Sequence, residues 1–257
     1  MTSPSIWSSG RYESVAEQIE VIAGEVVDAV AGRLPLREAS LVDLACGTGN
    51  AALSAGARGA RVTAVDITPE LLAIGAAKPG GDSVTWVTAD AAATGLPAAA
   101  FDAAVSNMGI IFVEPVAQVA ELARLLRPGG ILGFSAWSQG PANPFFDPII
   151  EVLGAPSASA YSADQWGDPT IIADRLSTDF ADIDVAAGPF TWRFDSLESA
   201  VGFVTEESPM HVNVFRYIGD ARDRLIAAFE AAFATHVDEA GRVAFDAPYV
   251  VVTARRR

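Results

Sequence analysis

The 257-residue chain has a single cysteine, Cys46, and two histidines. One cysteine excludes an internal disulfide and a thiolate metal cage, because both need several thiols. Basic residues are also few: 17 lysines and arginines stand against 32 acidic residues, for a net charge of −15. A chain this acidic repels polyphosphate, so we expect no nucleic-acid partner, and no metal site is predicted.

The sequence also lacks an apolar segment long enough to cross a bilayer. The longest uncharged stretch, residues 128–146, is broken by glycines, prolines and polar side chains. Residues 1–30 alternate acidic and apolar positions, without the basic start and continuous apolar core of a signal peptide. We therefore expect a cytoplasmic protein with no membrane partner.

Short apolar runs alternate with helical patterns from residue 40 onward. The runs lie at 41–45, 62–65, 84–87, 103–105 and 131–136. This alternation is typical of a parallel sheet covered by helices on both faces. One of the helices is predicted over residues 115–127, ending at Pro128-Gly129-Gly130. The pattern predicts a doubly wound α/β fold.

Residues 41–50, LVDLACGTGN, form the most informative segment of the sequence. They predict a buried strand that runs into a glycine turn and then into a helix. Glycines let the backbone approach a ligand closely, and the helix N-terminus offers free N–H groups. Gly47 and Gly49 also fit the pattern G-x-G-x-x-G/A, so a nicotinamide or flavin enzyme is an alternative at this point.

Acidic residues accompany three successive predicted strands. Asp43 stands at the mouth of the glycine turn, where a carboxylate repels a pyrophosphate but attracts the sulfonium and ammonium of S-adenosylmethionine. Asp66 ends the second strand and can accept ribose hydroxyls. Asp90 follows the third strand and can accept from an exocyclic adenine amine. Together the three carboxylates favour a cationic adenosyl ligand.

The segment 43–49, DLACGTG, resembles the first motif of the class I S-adenosylmethionine-dependent methyltransferases, acidic-x-Gly-x-Gly-x-Gly. Ala45 replaces the first glycine of that motif. The likeness continues through SNMG at 106–109 and ELARLLRPGG at 121–130. Residues 166–168 and 191–196 also look like the later segments of a bacterial small-molecule subgroup. The resemblance implies the Rossmann-like methyltransferase fold: a mostly parallel seven-stranded sheet with its last strand antiparallel and a helical lid over the C-terminal strand ends.

The resemblance also implies a division of the chain, residues 1–257, within a single methyltransferase domain. We expect an N-terminal arm and helix at 1–32 and a cofactor-binding half at 40–137. A substrate-side lid with insertions follows at 138–246, and a terminal strand at 247–257. Loop-forming residues dominate the lid from 138 to about 168, and helices are predicted at 197–205 and 220–237.

The cofactor implied by the resemblance is S-adenosyl-L-methionine, with S-adenosyl-L-homocysteine as product. The residues expected at the cofactor are Trp7, Tyr12, Asp43, Ala45, Gly47, Gly49, Asn50, Asp66, Ile67, Asp90, Ala91, Asn107 and Met108. Family members that methylate nucleic-acid bases or protein glutamine carry Asn or Asp followed by Pro-Pro after strand four. This chain has SNMG there, which disfavours that subclass.

The expected reaction is methyl transfer to a small-molecule acceptor, with a hydroxyl oxygen as the preferred nucleophile. Such a displacement depends on alignment and on exclusion of water. A base helps a hydroxyl acceptor, and His211, in a bend between predicted lid helices, is the candidate. The alternatives are an NAD(P)-dependent oxidoreductase and a non-catalytic or cyclisation-promoting S-adenosylmethionine-binding protein. We expect a monomer or a homodimer.

Overall fold

The computed structural model describes residues 6–155 and 161–257, so parts of the predicted arm (1–5) and lid (156–160) lie outside the described residues. The helices are α1 (Tyr12–Gln18), α2 (Glu20–Ala31), α3 (Asn50–Ala57), α4 (Pro69–Ala77), α5 (Pro115–Leu125), α6 (Asp147–Leu153), α7 (Pro169–Leu176), α8 (Leu197–Gly202), α9 (Pro209–Tyr217) and α10 (Arg222–Ala234). The strands are β1 (Ser40–Leu44), β2 (Arg61–Asp66), β3 (Thr85–Thr88), β4 (Phe101–Asn107), β5 (Leu126–Trp137), β6 (Phe180–Phe194) and β7 (Val243–Arg256). Among these described helices, none is both long and apolar enough to span a membrane.

The seven strands form one sheet in the order β3-β2-β1-β4-β5-β7-β6. Strand β1 pairs in parallel with β2 and β4, and the pairs β2–β3 and β4–β5 are parallel as well. Strand β7 is antiparallel to β5, with Tyr249 opposite Trp137. The predicted mostly parallel, seven-stranded, doubly wound sheet with an antiparallel last strand is therefore confirmed.

The chain divides into two units. The first contains Met1–Gln18, Gly140–Ala160 and Pro189–Pro248, and the second contains Ile19–Gln139, Tyr161–Gly188 and Tyr249–Arg257. The second unit holds strands β1 to β5, and the first holds helices α6, α8, α9 and α10. The predicted placement of a lid over the strand ends stays a prediction.

Helix α2 lies against the sheet within the second unit. Ile22, Val26 and Val30 recur every four residues on one side of the helix and are fully buried. Gly133 of β5 permits a close approach, because a Cβ at this position would lie 2.3 Å from Cγ2 of Val30. The absence of a side chain at Gly133 therefore sets the spacing between α2 and the sheet.

Three features differ from the prediction. The N-terminal helical pattern is interrupted at Ile19, where φ is −92° and ψ is 9°, so α1 and α2 are separate. Helix α5 ends at Leu125 and β5 begins at the next residue, so Pro128-Gly129-Gly130 lies within β5. Helices α6 and α9 were not predicted, because Pro148 and Pro209 indicated loops; both prolines occupy the first helical turn, where no N–H is needed.

The seating of α2 can be tested with two glycine substitutions. We expect Gly133→Ala to lower the free energy of unfolding by about 1–3 kcal/mol, because the added methyl must displace a packed Val30. Gly24→Ala, inside α2, is the control. A Cβ added at Gly24 would have no neighbouring atom within 4 Å beyond its own helix backbone. This substitution should raise stability by about 0.5–1 kcal/mol through helix propensity. Urea unfolding measures both, and wild-type stability of Gly133→Ala would contradict the described contact.

Candidate functional site

The turn between β1 and α3 contains three residues with left-handed backbones. The φ angles are 51° at Ala45, 57° at Gly47 and 83° at Gly49. Glycine adopts this conformation freely, whereas alanine pays about 1–2 kcal/mol. Ala45 therefore carries backbone strain at the position where the resembling family has glycine, and strain of this kind concentrates at functional sites.

A glycine at the end of β4 accommodates the side chain of Ala45. A Cβ at Gly109 would lie 2.8 Å from Cβ of Ala45 and 2.3 Å from its carbonyl oxygen. Ser106 Oγ donates to the carbonyl of Leu44 at 2.7 Å and accepts from the N–H of Ile110 at 3.1 Å. Met108, between these residues, is also left-handed, with φ 54°. The ends of β1 and β4 are thus interlocked.

Asp43 is buried beneath the turn, with 1% of its surface exposed. Its Oδ2 accepts from the N–H of Ala52 at 2.9 Å, whereas its Oδ1 has no hydrogen-bond partner among the described residues. Burial raises the pKa of Asp43 to about 8; the Ala52 hydrogen bond opposes this rise and the charge of Asp66 adds to it. A buried carboxylate with an unpaired oxygen gains strongly from a cationic ligand.

Asp66 connects the end of β2 to the glycine turn. Its Oδ2 accepts from the N–H of Gly47 and its Oδ1 from the N–H of Thr68, both at 2.8 Å. Burial raises the pKa of Asp66, although these two backbone donors lower it. Each carboxylate oxygen has a second lone pair, so acceptor capacity remains for ribose hydroxyls. The next residue, Ile67, is 59% exposed and offers apolar surface to a ring.

Asp90 lies at the surface, just after β3. Its Oδ1 accepts from the N–H of Ala92 at 2.8 Å and its carbonyl from the N–H of Ala93 at 3.0 Å. The N–H of Ala89 donates to the carbonyl of Asp66 at 3.0 Å, which joins the ends of β3 and β2. The structure thus brings Asp43, Asp66 and Asp90 to neighbouring strands at one edge of the sheet.

Asn107, at the end of β4, is held by hydrogen bonds on both sides. Its Nδ2 donates to the carbonyl of Ile19 at 3.4 Å, and its Oδ1 accepts from Ser135 Oγ at 2.8 Å. Ser135 Oγ in turn accepts from the N–H of Met108 at 3.0 Å. The amide thereby connects the start of α2 with β5, and its predicted contact with the cofactor stays a prediction.

Two residues that the sequence analysis missed contact the glycine turn. The ring of Trp86, on β3, packs against Gly49 and Gly75. A Cβ added at Gly49 would lie 2.4 Å from this ring, and a Cβ added at Gly75 would lie 2.5 Å from it. Lys78 donates to Oγ1 of Thr48 at 3.0 Å. Gly75 inside α4 was the available signal for Trp86, because a glycine in a helix usually has a packing reason.

Trp7 and Tyr12 lie in the first unit, together with His211. The rings of Trp7 and Tyr12 are in edge-on contact, with centroids 6.4 Å apart. Arg11 lies between these two residues in the sequence. Its N–H donates to the carbonyl of Glu207 at 2.7 Å, and its Nη2 donates to Glu207 Oε1 at 2.8 Å. This segment is thus attached to the end of the turn before α9, and its role toward the cofactor stays a prediction.

His211 lies in the first turn of α9, not in a bend, and is 5% exposed. Its Nδ1 bonds Ser208 Oγ at 2.7 Å, and its Nε2 bonds the carbonyl of Phe145 at 3.1 Å. Burial lowers the pKa of His211 to about 4, although the carbonyl of Phe145 raises it. Because both ring nitrogens are engaged, the contacts favour a packing role, and its assignment as catalytic base stays a prediction.

Comparison with known proteins covers the edge of the sheet just described. Residues 42–134, which include Asp43, Asp66 and Asp90, match a family model described as a methyltransferase domain. An uncharacterized protein of Mycobacterium tuberculosis is 29% identical over 85% of this chain and 81% of its own length. A malonyl-[acyl-carrier protein] O-methyltransferase of Enterobacter lignolyticus is 34% identical over 49% of this chain and 50% of its own.

A solved structure shares the fold. The YcgJ protein of Bacillus subtilis is 16% identical, with a TM-score of 0.60 over 91% of this chain and 98% of that chain. The glycine turn, the acidic strand ends, the sheet order and the matched methyltransferase domain agree with one another. Residues 42–134, which carry the glycine turn and the acidic strand ends, are thus similar to a methyltransferase domain.

Proposed function

We propose that this protein transfers a methyl group from S-adenosylmethionine to a small-molecule acceptor, preferably to a hydroxyl oxygen. The observation that carries the proposal is the buried carboxylate of Asp43, whose Oδ1 has no partner among the described residues. A sulfonium and an ammonium are attracted to this carboxylate, whereas the pyrophosphate of a nicotinamide cofactor is repelled. When Asp43 is ionised, its charge therefore favours S-adenosylmethionine over a nicotinamide cofactor, and a bound cation in turn favours the ionised form.

The residues fit the cofactor part by part. Asp43, Ala45, Gly47 and Gly49 would hold the methionine portion beside the left-handed turn. A second set, Asp66, Ile67, Asp90 and Ala91, would hold the ribose and adenine. When bound, S-adenosylmethionine supplies an electrophilic methyl group. The chain's own contribution would be orientation, because the contacts between the ends of β1 and β4 give the turn a fixed shape on which the cofactor can be held.

The choice of an oxygen acceptor has narrower support. The relative from Enterobacter lignolyticus is named as an O-methyltransferase, and it matches about half of this chain. The net charge of −15 disfavours polyanionic acceptors. We therefore propose a neutral or cationic organic molecule that carries a hydroxyl group.

Binding and turnover test this function separately. Calorimetric titration with S-adenosylmethionine, S-adenosylhomocysteine and NADH should show binding of the first two only. Release of S-adenosylhomocysteine should then be screened over hydroxyl- and amine-bearing metabolites. Binding of NADH alone would reject the proposal, and turnover with any acceptor would reject the non-catalytic alternative.

The protonation of Asp43 predicts how cofactor binding depends on pH. Because the pKa of Asp43 is raised to about 8, its carboxyl is neutral below that pH and charged above it. Affinity for S-adenosylmethionine should therefore rise, by ~10-fold between about pH 6 and 8. Asp43→Asn should bind S-adenosylmethionine more weakly, and its affinity should change little over this pH range. Burial also raises the pKa of nearby Asp66, which remains in this variant.

The control for the Asp43→Asn variant is the same substitution, aspartate to asparagine, at an exposed position. Asp28→Asn removes the surface ion-pair partner of Arg58 and should keep the wild-type pH profile. Titration calorimetry at several pH values measures all three proteins. A wild-type profile in Asp43→Asn would show that another group governs binding.

We infer that His211 has a packing role, which a second pair of variants tests. His211→Gln should lower the free energy of unfolding by about 1–3 kcal/mol, because Ser208 or Phe145 loses its buried partner. The kcat of the folded variant should stay within about twofold of wild type, since a true base contributes ~100-fold or more. His236→Gln, at the chain's other histidine, is the control. If kcat falls ~100-fold or more in His211→Gln and not in His236→Gln, His211 is the base.

A further inference from the structure

The loop after β3, residues 90–97, carries Asp90 but has few side chains that could anchor it. Its sequence is DAAATGLP, in which alanines and a glycine leave little apolar surface to bury. Ordering such a segment costs conformational entropy, and the burial of so few apolar atoms offsets little of this cost. The loop must therefore be held by polar contacts if Asp90 is to keep one position.

Glu121 of α5 supplies the first of these contacts. Its Oε1 accepts from the N–H of Thr94 at 2.9 Å and from Thr94 Oγ1 at 2.6 Å. Thr94 Oγ1 also accepts from the N–H of Leu96 at 3.2 Å. One carboxylate oxygen thus fixes both the backbone and the side chain at the middle of the loop.

Two neighbours on α5 complete the contact. Arg124 donates from Nε to Oε2 and from Nη2 to Oε1 of Glu121, both at 2.7 Å, and from Nη1 to the carbonyl of Leu96 at 2.8 Å. Gln118 is fully buried and donates from Nε2 to the carbonyl of Ala91 at 3.3 Å. Residues one turn apart on a single helix therefore hold the loop at Ala91, Thr94 and Leu96.

The electrostatics of Glu121 suit this task. Its side chain is 7% exposed, yet the hydrogen bonds from Arg124 and Thr94 lower its pKa to about 2 against the effect of burial. Hydrogen bonds between ionised partners are stronger and better directed than neutral ones. The carboxylate is therefore ionised, and its contact with the loop persists, throughout the physiological pH range.

We propose that Glu121 is a positioning residue for adenine recognition: with Gln118 and Arg124 it holds residues 90–96 so that Asp90 can accept from the exocyclic amine. The inference rests on the proposed function, because it takes Asp90 as the adenine contact. Glu121 itself touches the loop and not the ligand. Its effect should appear in selectivity for the amine, beyond any effect on stability.

The test compares two ligands that differ at the amine. Calorimetry gives the Kd of S-adenosylhomocysteine and of S-inosylhomocysteine, in which an oxygen replaces the amine. Wild type should prefer the first by ~10-fold or more, as expected for a hydrogen bond to a charged acceptor. Glu121→Gln should reduce this ratio at least ~5-fold, because it releases the loop that positions Asp90. Asp90→Asn should reduce the ratio similarly, because it removes the charge of the acceptor itself. The double variant should show no further loss.

Glu114→Gln is the matched control on the same helix. Its carboxylate accepts from the N–H groups of Val116 and Ala117 at the start of α5 and does not hold the loop. This variant should keep the wild-type ratio. Thr94→Val preserves side-chain shape while removing the hydroxyl bonded to Glu121, so it serves if Glu121→Gln does not fold, and it should also lower the ratio.

The possible outcomes separate the two proposals. If both Kd values rise equally and the ratio is unchanged in Glu121→Gln and Thr94→Val, Glu121 supports the fold only and the inference is wrong. If wild type binds neither S-adenosylhomocysteine nor S-inosylhomocysteine, the proposed function fails, and this inference with it. A ratio that falls in both variants but not in Glu114→Gln supports the inference.

Discussion

Two carboxylates, Asp43 and Asp66, are buried beneath the glycine turn. The free energy that their burial costs is the constraint on which the neighbouring strand ends depend. Backbone N–H groups of Ala52, Gly47 and Thr68 offset part of that cost. They do not offset all of it, since both carboxyl pKa values remain raised. Apolar residues at these two positions would avoid this cost. Under the proposed function, the sulfonium and ammonium of S-adenosylmethionine would offset it on binding.

The sequence predicted the positions of these strand ends, because the signals for them are local. A carboxylate at the end of an apolar strand is conspicuous, and parallel order places successive strand ends side by side, so Asp43, Asp66 and Asp90 could be assigned together. The contacts that hold these residues could not be predicted in the same way. The bonds from Glu121 to Thr94 and from Asn107 to Ile19 join positions far apart in sequence, and no local pattern indicates them.

The first unit was less predictable, for two physical reasons. Proline has opposite meanings in a loop and at the start of a helix, so Pro148 and Pro209 concealed α6 and α9. The environment of His211 depends on aromatic side chains contributed by segments dispersed from Phe145 to Phe245, whose rings pack together within the first unit. The family match ends at residue 134, before this region begins. The environment of His211 therefore lies outside the matched segment.

The chain's single lysine and single cysteine both lie at the glycine turn. Cys46 is within the turn, and Lys78 donates to Thr48 beside it. Amine coupling, such as surface immobilisation or dye attachment, would therefore modify the lysine bonded to Thr48 or the chain terminus. Thiol coupling would be slow, because burial raises the pKa of Cys46. Handles for such experiments belong on the arginine- and carboxylate-rich surface, introduced by substitution far from this turn.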